Sequence, residues 1–313
     1  MDRFKDFREG MLKKGFNADS SAMFEKSLTA TMVKIQETIY SEAISQSAFP
    51  IAAAQGAGLT AIEWYKGTPT GEMALIGPKS QDLPHMDEDM ERNERAVANY
   101  GGTFGWSFIE FERANRQGYD FSGRRGRQSR KVSERTLDKA LLSEGDARKP
   151  DIKGVFGDVL TATTSLTGNW VAATNDQIIS DAGRILQAAY DGSGGEYPPT
   201  HLMLGSLNYG VVAYRTNTNT DESLLSIIEK KFNVTVLRTQ RFNSVTSSIN
   251  SLSAAPAAIA YHYDEDLIEV NIPRPFMMRP GEWRGAKYCV DCYLDFAGFF
   301  NYMPPAMSVA DLS

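Results

Sequence analysis

The stretch that decides the fold of this 313-residue chain runs from Asp82 to Gly157 and joins three segments of different character. It begins with the acidic run Asp87-Glu88-Asp89-Met90-Glu91 and continues through the glycine-broken, strand-like segment Ala96-Val97-Ala98-Asn99-Tyr100-Gly101-Gly102-Thr103-Phe104-Gly105-Trp106-Ser107. It ends in a long polar helix with five basic side chains: Arg124, Arg125, Arg127, Arg130 and Lys131. An acidic run, an open strand and a basic helix line a catalytic pocket poorly. They suit a surface that meets another copy of the same chain.

Composition limits the class of protein. Apolar residues make up 42% of the chain and charged residues 23%, which is typical of a globular protein. The formal net charge of −6 argues against a protein built to bind nucleic acid, although it leaves a local basic patch open. No apolar run approaches the roughly 20 residues of a membrane helix, and the N-terminus lacks the apolar core of a secretory signal. We therefore predict a soluble protein that is made in a cytoplasm and has no membrane partner.

Cys289 and Cys292 form the sharpest chemical motif, Cys-x-x-Cys. Redox pairs with this spacing open a helix, whose N-terminus stabilises the thiolate. The surrounding segment 286–296 is rich in aromatic and β-branched residues and predicts a strand, on which residues three apart point to opposite faces. A zinc site would need two more ligands, and the histidines are scattered through the chain: His85, His201 and His262. We interpret the pair as ordinary strand cysteines and keep a thiol oxidoreductase as a remote alternative.

No other catalytic, cofactor-binding or metal-binding residues are predicted. The chain has no Gly-x-Gly-x-x-Gly after a strand and no Gly-Lys-Ser/Thr. The acidic run Asp87–Glu91 lacks the glycine and terminal glutamate of an EF-hand loop, so we interpret it as a solvated or partner-facing charge run. The basic cluster 124–131 wraps around its helix and contains no aromatic residue to stack bases. We favour a solvated face and pairing between subunits over nucleic-acid recognition.

The first third of the chain predicts an arm followed by a hairpin. Residues 1–50 include a stripe of apolar side chains at helical spacing. This stripe must be buried either against its own domain or against a neighbouring copy of the chain, and both options stay open. The stripe consists of Phe24, Leu28, Met32, Ile35 and Ile39. The strand patterns Thr60–Lys66 and Glu72–Ile76 flank the turn signal Gly67–Gly71. Such a hairpin is only marginally stable alone, so if it projects it needs outside support.

Two helices are predicted after the strand that ends near Trp106. Ser107 and Glu110 form a capping-box pattern at the start of a helix that ends near Arg116. The next helix, Asp120–Ser143, has a mostly polar first half, and its apolar face lies toward the C-terminal end: Val132, Thr136, Leu137, Ala140 and Leu141. Such a helix is packed at one end only.

The second half of the chain alternates helices and strands. Thr174-Asn175-Asp176 can cap a helix that carries an apolar face, and the loop Asp191–Pro199 marks a boundary. Beyond it we predict helices at Leu207–Tyr214 and Asp221–Phe232, and a series of strands. These strands are His201–Leu204, Val234–Leu237, Ala257–Tyr263, Leu267–Ile272 and a long final one, Ala286–Tyr302. The fold class is α+β with mostly antiparallel strands.

The order of these segments resembles the major capsid proteins of tailed bacteriophages, which have the Hong Kong 97-like fold. The N-terminal helix with Phe49-Pro50-Ile51 is similar to the family's arm, the hairpin to its extended E-loop, and the helix 134–146 to its spine helix. The resemblance implies a division into five parts: 1–50, N-terminal arm; 51–93, E-loop region; 94–199, P-domain with the spine helix; 200–263, A-domain; 264–313, C-terminal strands that return to the P-domain/A-domain sheet. Lys66 and Lys79 lie in the hairpin region, but no motif identifies a crosslinking partner.

The resemblance implies a viral coat protein, not an enzyme, that self-assembles as pentamers and hexamers into an icosahedral shell around double-stranded DNA. The expected location is the virion capsid, assembled in the cytoplasm of a host bacterium. Expected partners are a scaffold, a portal and a decoration protein, and DNA by non-specific proximity. An arm of 50 residues is short for a fused scaffolding domain, which favours a separate scaffold protein. An encapsulin-type nanocompartment shell protein is the nearest alternative, because it shares the fold.

Overall fold

The computed structural model describes residues 45–73, 75, 84–110, 112, 121–163, 166–217 and 221–312. The predicted amphipathic helix from Phe24 to Ile39 lies outside the described residues, as do Lys79 and the end of the helix predicted to reach Arg116. The α-helices with full bounds are α1 Ser45–Ala48, α2 Phe121–Leu141, α3 Asn175–Gly192, α4 Ser206–Tyr214 and α5 Leu224–Phe232. A mixed α+β class is therefore confirmed.

The strands number as follows along the chain: β1 Ala61–Thr70, β2 Asp87–Ala96, β3 Ala98–Ser107, β4 Gly145–Asp146, β5 Lys149–Lys153, β6 Thr161–Ala162, β7 His201–Gly205, β8 Thr235–Thr239, β9 Val245–Ser247, β10 Leu252–Ala255, β11 Ala257–Tyr261, β12 Ile268–Asn271, β13 Arg274–Met278, β14 Glu282–Arg284, β15 Lys287–Phe296, β16 Gly298–Asn301 and β17 Ser308–Asp311. The predicted strands at β3, β7, β8, β11 and β12 are confirmed. The short strands β9, β10, β13 and β14 and the C-terminal β17 were not predicted.

The core is built around a five-stranded sheet with the order β6-β17-β11-β7-β8. Alternating side chains bury both faces. Leu202 and Leu204 pack with α3, α4 and α5, whereas Met203 between them packs in a second cluster with the C-terminal end of α2. Thr174 caps α3, as its sequence predicts, and Gln177 completes a reciprocal capping box.

A second sheet joins distant parts of the chain. β3 pairs antiparallel with β15 over ten residues, from Ser107 opposite Lys287 to Ala98 opposite Phe296, and β13 and β14 pair with the same strand. The prediction of one strand from Ala286 to Tyr302 is wrong, because the chain breaks after Phe296 and continues as β16, which pairs with β12. Gly298 makes the break: its φ is +104°, and a Cβ there would lie 2.6 Å from the Lys153 carbonyl oxygen.

The hairpin is also different from its prediction. β1 continues straight through Gly67–Thr70, and its partner is β2, so the acidic run is a strand and not a loop. The predicted turn at Gly67–Gly71 and the pairing with Glu72–Ile76 are therefore wrong, within the part of that segment that the structure describes. The turn was predicted partly because Pro69 has no N–H to donate to a strand ladder. Proline is nevertheless tolerated on an outer strand edge, where no N–H is needed.

α2 agrees well with the predicted helix Asp120–Ser143. Leu137, Ala140 and Leu141 are buried, as expected. Val132 is 58% exposed, so its assignment to the buried face is wrong. It lies where α2 stands over an open groove, which leaves the first half of the helix poorly packed, as its polar sequence predicts.

Candidate assembly surfaces

The hairpin formed by β1 and β2 is exposed along most of its length. Ten residue pairs, from Ala61 opposite Ala96 to Thr70 opposite Asp87, give a ladder roughly 30 Å long at about 3.3 Å per residue. No third strand joins it within the described residues. Several large apolar side chains on it and beside its distal end are exposed: Tyr65, Met73, Leu75, Met86 and Met90.

Aromatic packing holds the hairpin to the body at its root. The Trp64 ring lies 5.0 Å from the Phe300 ring and 6.1 Å from the Tyr302 ring, both in edge-on geometry. Leu59 and Ile62 are partly buried in the same small cluster. Aromatic pairs in this arrangement contribute about 0.5–1.5 kcal/mol each beyond the area they bury.

Arg95 is the buried cation of the root. Its guanidinium carbon lies 4.8 Å from the Phe300 ring centre and 5.5 Å from that of Trp64, and the group donates to the Phe299 carbonyl. The Asp158 carboxylate is 3.9 Å away. Burial lowers the pKa of Arg95, and the charge of Asp158 opposes that shift. The root therefore depends on a buried charge that aromatic faces and one carboxylate compensate.

The two faces of the distal hairpin differ. Because side chains alternate, the face that buries Trp64 and Arg95 at the root continues outward with six polar residues. These are Lys66, Thr68, Thr70, Asp87, Asp89 and Glu91, here called the acidic face. The opposite face carries Tyr65 and Met90 together with the ion pair of Glu63 with Arg92 and the carboxylates Glu88 and Glu94, and is here called the apolar face. The hairpin thus presents one acidic and one partly apolar surface for contact.

A groove of about 470 Å³ lies between the first half of α2 and the β3–β15 sheet. Tyr100, Phe104 and Tyr293 line its sheet side, and Ser129 and Val132 line its helix side. A second cavity of about 260 Å³ adjoins the same helix beside Ile51 and Ala52. Open space on both sides of α2 makes it a second candidate surface for contact with another copy.

The Tyr100 hydroxyl at this groove donates to Asp146 over 2.6 Å. This hydrogen bond, followed by one from the Arg148 backbone N–H, lowers the pKa of Asp146. Burial and the same carboxylate raise the pKa of Tyr100. The pair ties β3 to the β4–β5 hairpin by a charge-assisted hydrogen bond.

The structure separates the five basic residues of the predicted cluster. Arg125 turns to the body, where it donates to the Gly105 carbonyl and lies 3.7 Å from Glu110. Glu110 also closes the predicted capping box, since its carboxylate accepts from the Ser107 N–H at 3.0 Å. Arg130 donates to Glu134 at 2.9 Å along the helix, whereas Arg127 and Lys131 lie on the exposed surface.

Three buried carboxylates were missed by sequence reasoning. Asp138 lies 3.5 Å from Arg241, Asp181 accepts from the Trp170 indole N–H at 3.2 Å, and Asp295 accepts from Asn99 and from Arg274, each at 2.7 Å. A signal existed for two of them, since Asp138 and Asp181 stand within the apolar stripes of their helices. Burying a carboxylate without such partners is costly, so these contacts compensate the three buried charges.

Cys289 and Cys292 lie on β15, as predicted, and both are free thiols. Cys292 is buried, and burial raises the pKa of its thiol. A reactive thiol has a lowered pKa, so this environment disfavours thiolate chemistry.

Of the three histidines, His85 lies beside the hairpin, His201 is on β7 and His262 follows β11. His85 is near Asp87 on the exposed hairpin, while His201 and His262 lie close to Tyr261 and Tyr197 in the core region. Among the described residues no group of three or more His, Cys, Asp or Glu side chains is placed to hold a metal ion. No described helix is long and apolar enough to cross a membrane.

Several solved structures from phages, and one of a virus-like particle, have a similar fold. The structure entitled "The capsid of Myoviridae Phage XM1" matches with a TM-score of 0.75 and 17% identity, over 89% of this chain and 94% of that chain. Mycobacterium phage Bobi matches at 0.62 and 10%, over 89% and 92%. The virus-like particle from Pyrococcus furiosus matches at 0.53 and 12%, over 85% and 91%. The fold is therefore the Hong Kong 97-like capsid fold.

The family is shown by sequence. The model of the major capsid protein family matches residues 71–312, so the chain belongs to that family. It is a viral capsid protein of the tailed-phage type, and the nanocompartment alternative is less well supported. No curated protein sequence matches the chain significantly.

Proposed function

We propose that copies of this chain assemble as pentamers and hexamers into an icosahedral shell that encloses double-stranded DNA, inside a host bacterial cytoplasm. Membership of the major capsid protein family supports this proposal. The observation that carries it is the hairpin, which is rooted by Trp64 and Arg95 but exposed on both faces along its distal half. A two-stranded ladder of this kind is marginal alone, so a neighbouring copy completes its support. When one surface of a copy binds a different surface of the next copy, the copies form a closed ring if the rotations between neighbours add up to a full turn.

The same proposal assigns parts of the chain to domains. Residues 1–50 are the N-terminal arm, 51–93 the E-loop region, and 94–199 the P-domain with α2 as its spine helix. Residues 200–263 are the A-domain, and 264–313 return as C-terminal strands. The pairing of β15 with β3 and of β17 with β11 supports the return of the last segment to both sheets.

Shortening the hairpin tests the proposal. Lys66 and Glu91 are cross-strand partners, so an Asn-Gly turn in place of residues 67–90 joins them in a two-residue hairpin. We expect the shortened chain to fold with an unchanged melting temperature within a few degrees, because the root is kept. We also expect negative-stain microscopy to show no closed shells, whereas the full chain forms them. Normal shells from the shortened chain would contradict the proposal.

The proposed role is structural and does not include catalysis. The buried Cys292 thiol with its raised pKa supports this proposal, because it is a poor nucleophile. Insulin-reduction activity that disappears in Cys289→Ser would overturn it. We propose a separate scaffold protein, a portal and a decoration protein as further partners, which co-purification with assembling shells would identify.

A further inference from the structure

β2 and β3 form one long strand that has a different neighbour on each side. Only Val97 separates them, and its N–H donates to the Thr60 carbonyl at 2.9 Å, in line with the β1–β2 ladder. At the far end the Phe108 N–H donates to the Ala286 carbonyl at 3.3 Å, in line with the β3–β15 ladder. Neighbouring residues of an extended strand direct their backbone groups to opposite sides. The odd-numbered residues therefore face the side of β1, and the even-numbered residues face the side of β15.

Each half of this long strand has one open edge. β1 lies beside the first half only, and β15 lies beside the second half only. No described strand pairs with the other side of either half. The backbone N–H groups that point to these open sides belong to Asn99, Gly101 and Thr103 on β3, here called the β3 edge, and to Met90, Arg92 and Glu94 on β2, here called the β2 edge.

The β3 edge lacks the features that usually keep a strand edge from pairing. Such features are charged side chains, prolines and bulges. The segment 99–103 reads Asn-Tyr-Gly-Gly-Thr, its register with β15 is continuous, and its edge residues are exposed. Beyond it, the Gly105 carbonyl accepts from Arg125 and the Ser107 N–H donates to Glu110. Side chains of the same chain thus occupy the far end of the edge and leave its middle open.

We infer that the β3 edge pairs with the β2 edge of a neighbouring copy, so that one sheet continues from β15 and β3 of one chain to β2 and β1 of the next. This inference rests on the proposed function as a shell of repeated copies. The two edges cannot meet within one chain, because they lie on opposite sides of different halves of the same strand. Each copy therefore carries both halves of a contact between unlike surfaces, which is the kind of contact that forms rings. Strand addition of this kind gains its affinity from main-chain hydrogen bonds, so the glycines of the β3 edge do not weaken it.

The outer edge of β1 is the rival partner within the hairpin, and it fits less well. Pro69 points to that outer edge and has no N–H to donate. β2 has no proline or glycine over its ten residues. It carries five acidic and two basic residues, so two β2 edges would place like charges opposite each other. The uncharged β3 edge avoids that repulsion.

Residue-resolved hydrogen exchange of the full-length chain tests the pairing, by comparison of assembled shells with the unassembled chain. On assembly we expect exchange at the three amides of the β3 edge to slow on the order of 100-fold, because they gain acceptors. The three amides of the β2 edge should slow in the same experiment. The amides of Tyr100 and Gly102 face β15 already and should exchange slowly in both states.

Three results of this measurement would overturn the inference. Slow exchange at the β3 edge in the unassembled chain would show that the edge is covered within one chain. Protection of the β3 edge without the β2 edge would show that another segment pairs there. Unchanged exchange at both edges in closed shells would show that the copies meet elsewhere. If the wild-type chain formed no shells, the proposed function would fail. The pairing would then be decided by whether protection of both edges rises with protein concentration up to about 1 mM, and no rise would overturn it.

A proline substitution tests the same hydrogen bonds by mutation. Thr103→Pro removes one N–H of the β3 edge and no bond to β15, and an outer edge tolerates proline. The matched control Thr103→Val keeps the N–H and also lacks the hydroxyl that donates to the Val290 carbonyl. The two unassembled variants should melt within a few degrees of each other, whereas the proline variant should yield fewer shells by about tenfold or more.

Met90→Pro against Met90→Val repeats the comparison at the β2 edge and covers the case in which Thr103→Pro does not fold. We expect the same loss of shells, because either edge is half of the same contact. An equal yield of shells from a folded proline variant and its valine control, at either edge, would overturn the pairing.

Discussion

The hairpin and the five-stranded sheet use the same chain in opposite ways. In the sheet, β11 is buried along its whole length, and β7 is buried from its second residue onward. In the twenty residues of β1 and β2, Arg95 alone is buried. The sheet region thus completes its packing within one chain, whereas most side chains of the distal hairpin stay exposed. Folding and assembly should therefore respond to different mutations.

Trp170→Ala should give the largest loss of monomer stability, because Trp170 lies in the sheet region, whose packing is complete within one chain. Trp170 is fully buried and donates to Asp181, so truncation leaves both a cavity and a less satisfied carboxylate. We expect a loss of roughly 3–5 kcal/mol in the free energy of unfolding, measured by urea denaturation of the unassembled chain. Trp283→Ala is the control: that side chain is 53% exposed, and its loss should be well under half as large. Equal losses would show that the sheet region is not the stable part.

Arg95→Ala tests where the two regions join. Removing the cation leaves Asp158 buried with less compensation and strips the faces of Trp64 and Phe300, which should cost about 3 kcal/mol. Asp158→Ala in the same chain should recover part of that loss, and the double-mutant cycle measures the coupling. Hydrogen exchange should speed up in β1 and β2 before it does in β11. Additive losses with no coupling would show that the two residues do not act as a pair.

The sequence predicted correctly those features that depend only on residues close together in one segment. The caps Thr174 and Ser107, and the apolar faces of α2 and α3, are local signals, and the structure confirms them. It failed where the partner lies far along the chain. Nothing near Thr70 shows that Asp87 pairs with it, and Gly298 breaks a strand because of the distant Lys153 carbonyl.

The candidate surfaces were predicted in part for the same reason. Charge runs identified the hairpin and α2, but only the strand register divides the hairpin into an acidic and an apolar face. The sequence likewise shows only that the five clustered basic residues point in several directions around their helix, and not which of them face the body. The structure turns Arg125 and Arg130 to local partners and leaves Arg127 on the exposed surface, a division that the sequence alone does not show.

Tyr100→Phe should have an intermediate effect that depends on pH. The hydroxyl bond to Asp146 should contribute about 1.5 kcal/mol while that carboxylate is charged. The pKa of Asp146 is lowered in the folded chain, so this stabilisation is fully present above its unfolded pKa of about 3.9 and is lost as pH falls through the folded value. The difference in unfolding free energy between wild type and variant should therefore be complete at pH 7 and shrink below about pH 4. A difference that stays constant down to pH 2 would assign the effect to packing.

Tyr65→Ser/Met90→Ser should change monomer stability least and so separate the two regions most clearly. Both residues lie on the apolar face of the hairpin, 65% and 69% exposed, so the expected change in unfolding free energy is within about 0.5 kcal/mol for each. If a neighbouring copy covers this face, the same variant should lower the yield of shells by tenfold or more, measured by sedimentation and electron microscopy. The matched control is Leu207→Ser/Tyr214→Ser on α4, where the side chains are 62% and 90% exposed. Equal loss of shells in both variants would mean that any exposed apolar residue affects assembly, and the hairpin would lose its special role. Loss confined to the hairpin variant, at unchanged monomer stability, shows that its missing packing is supplied by another chain.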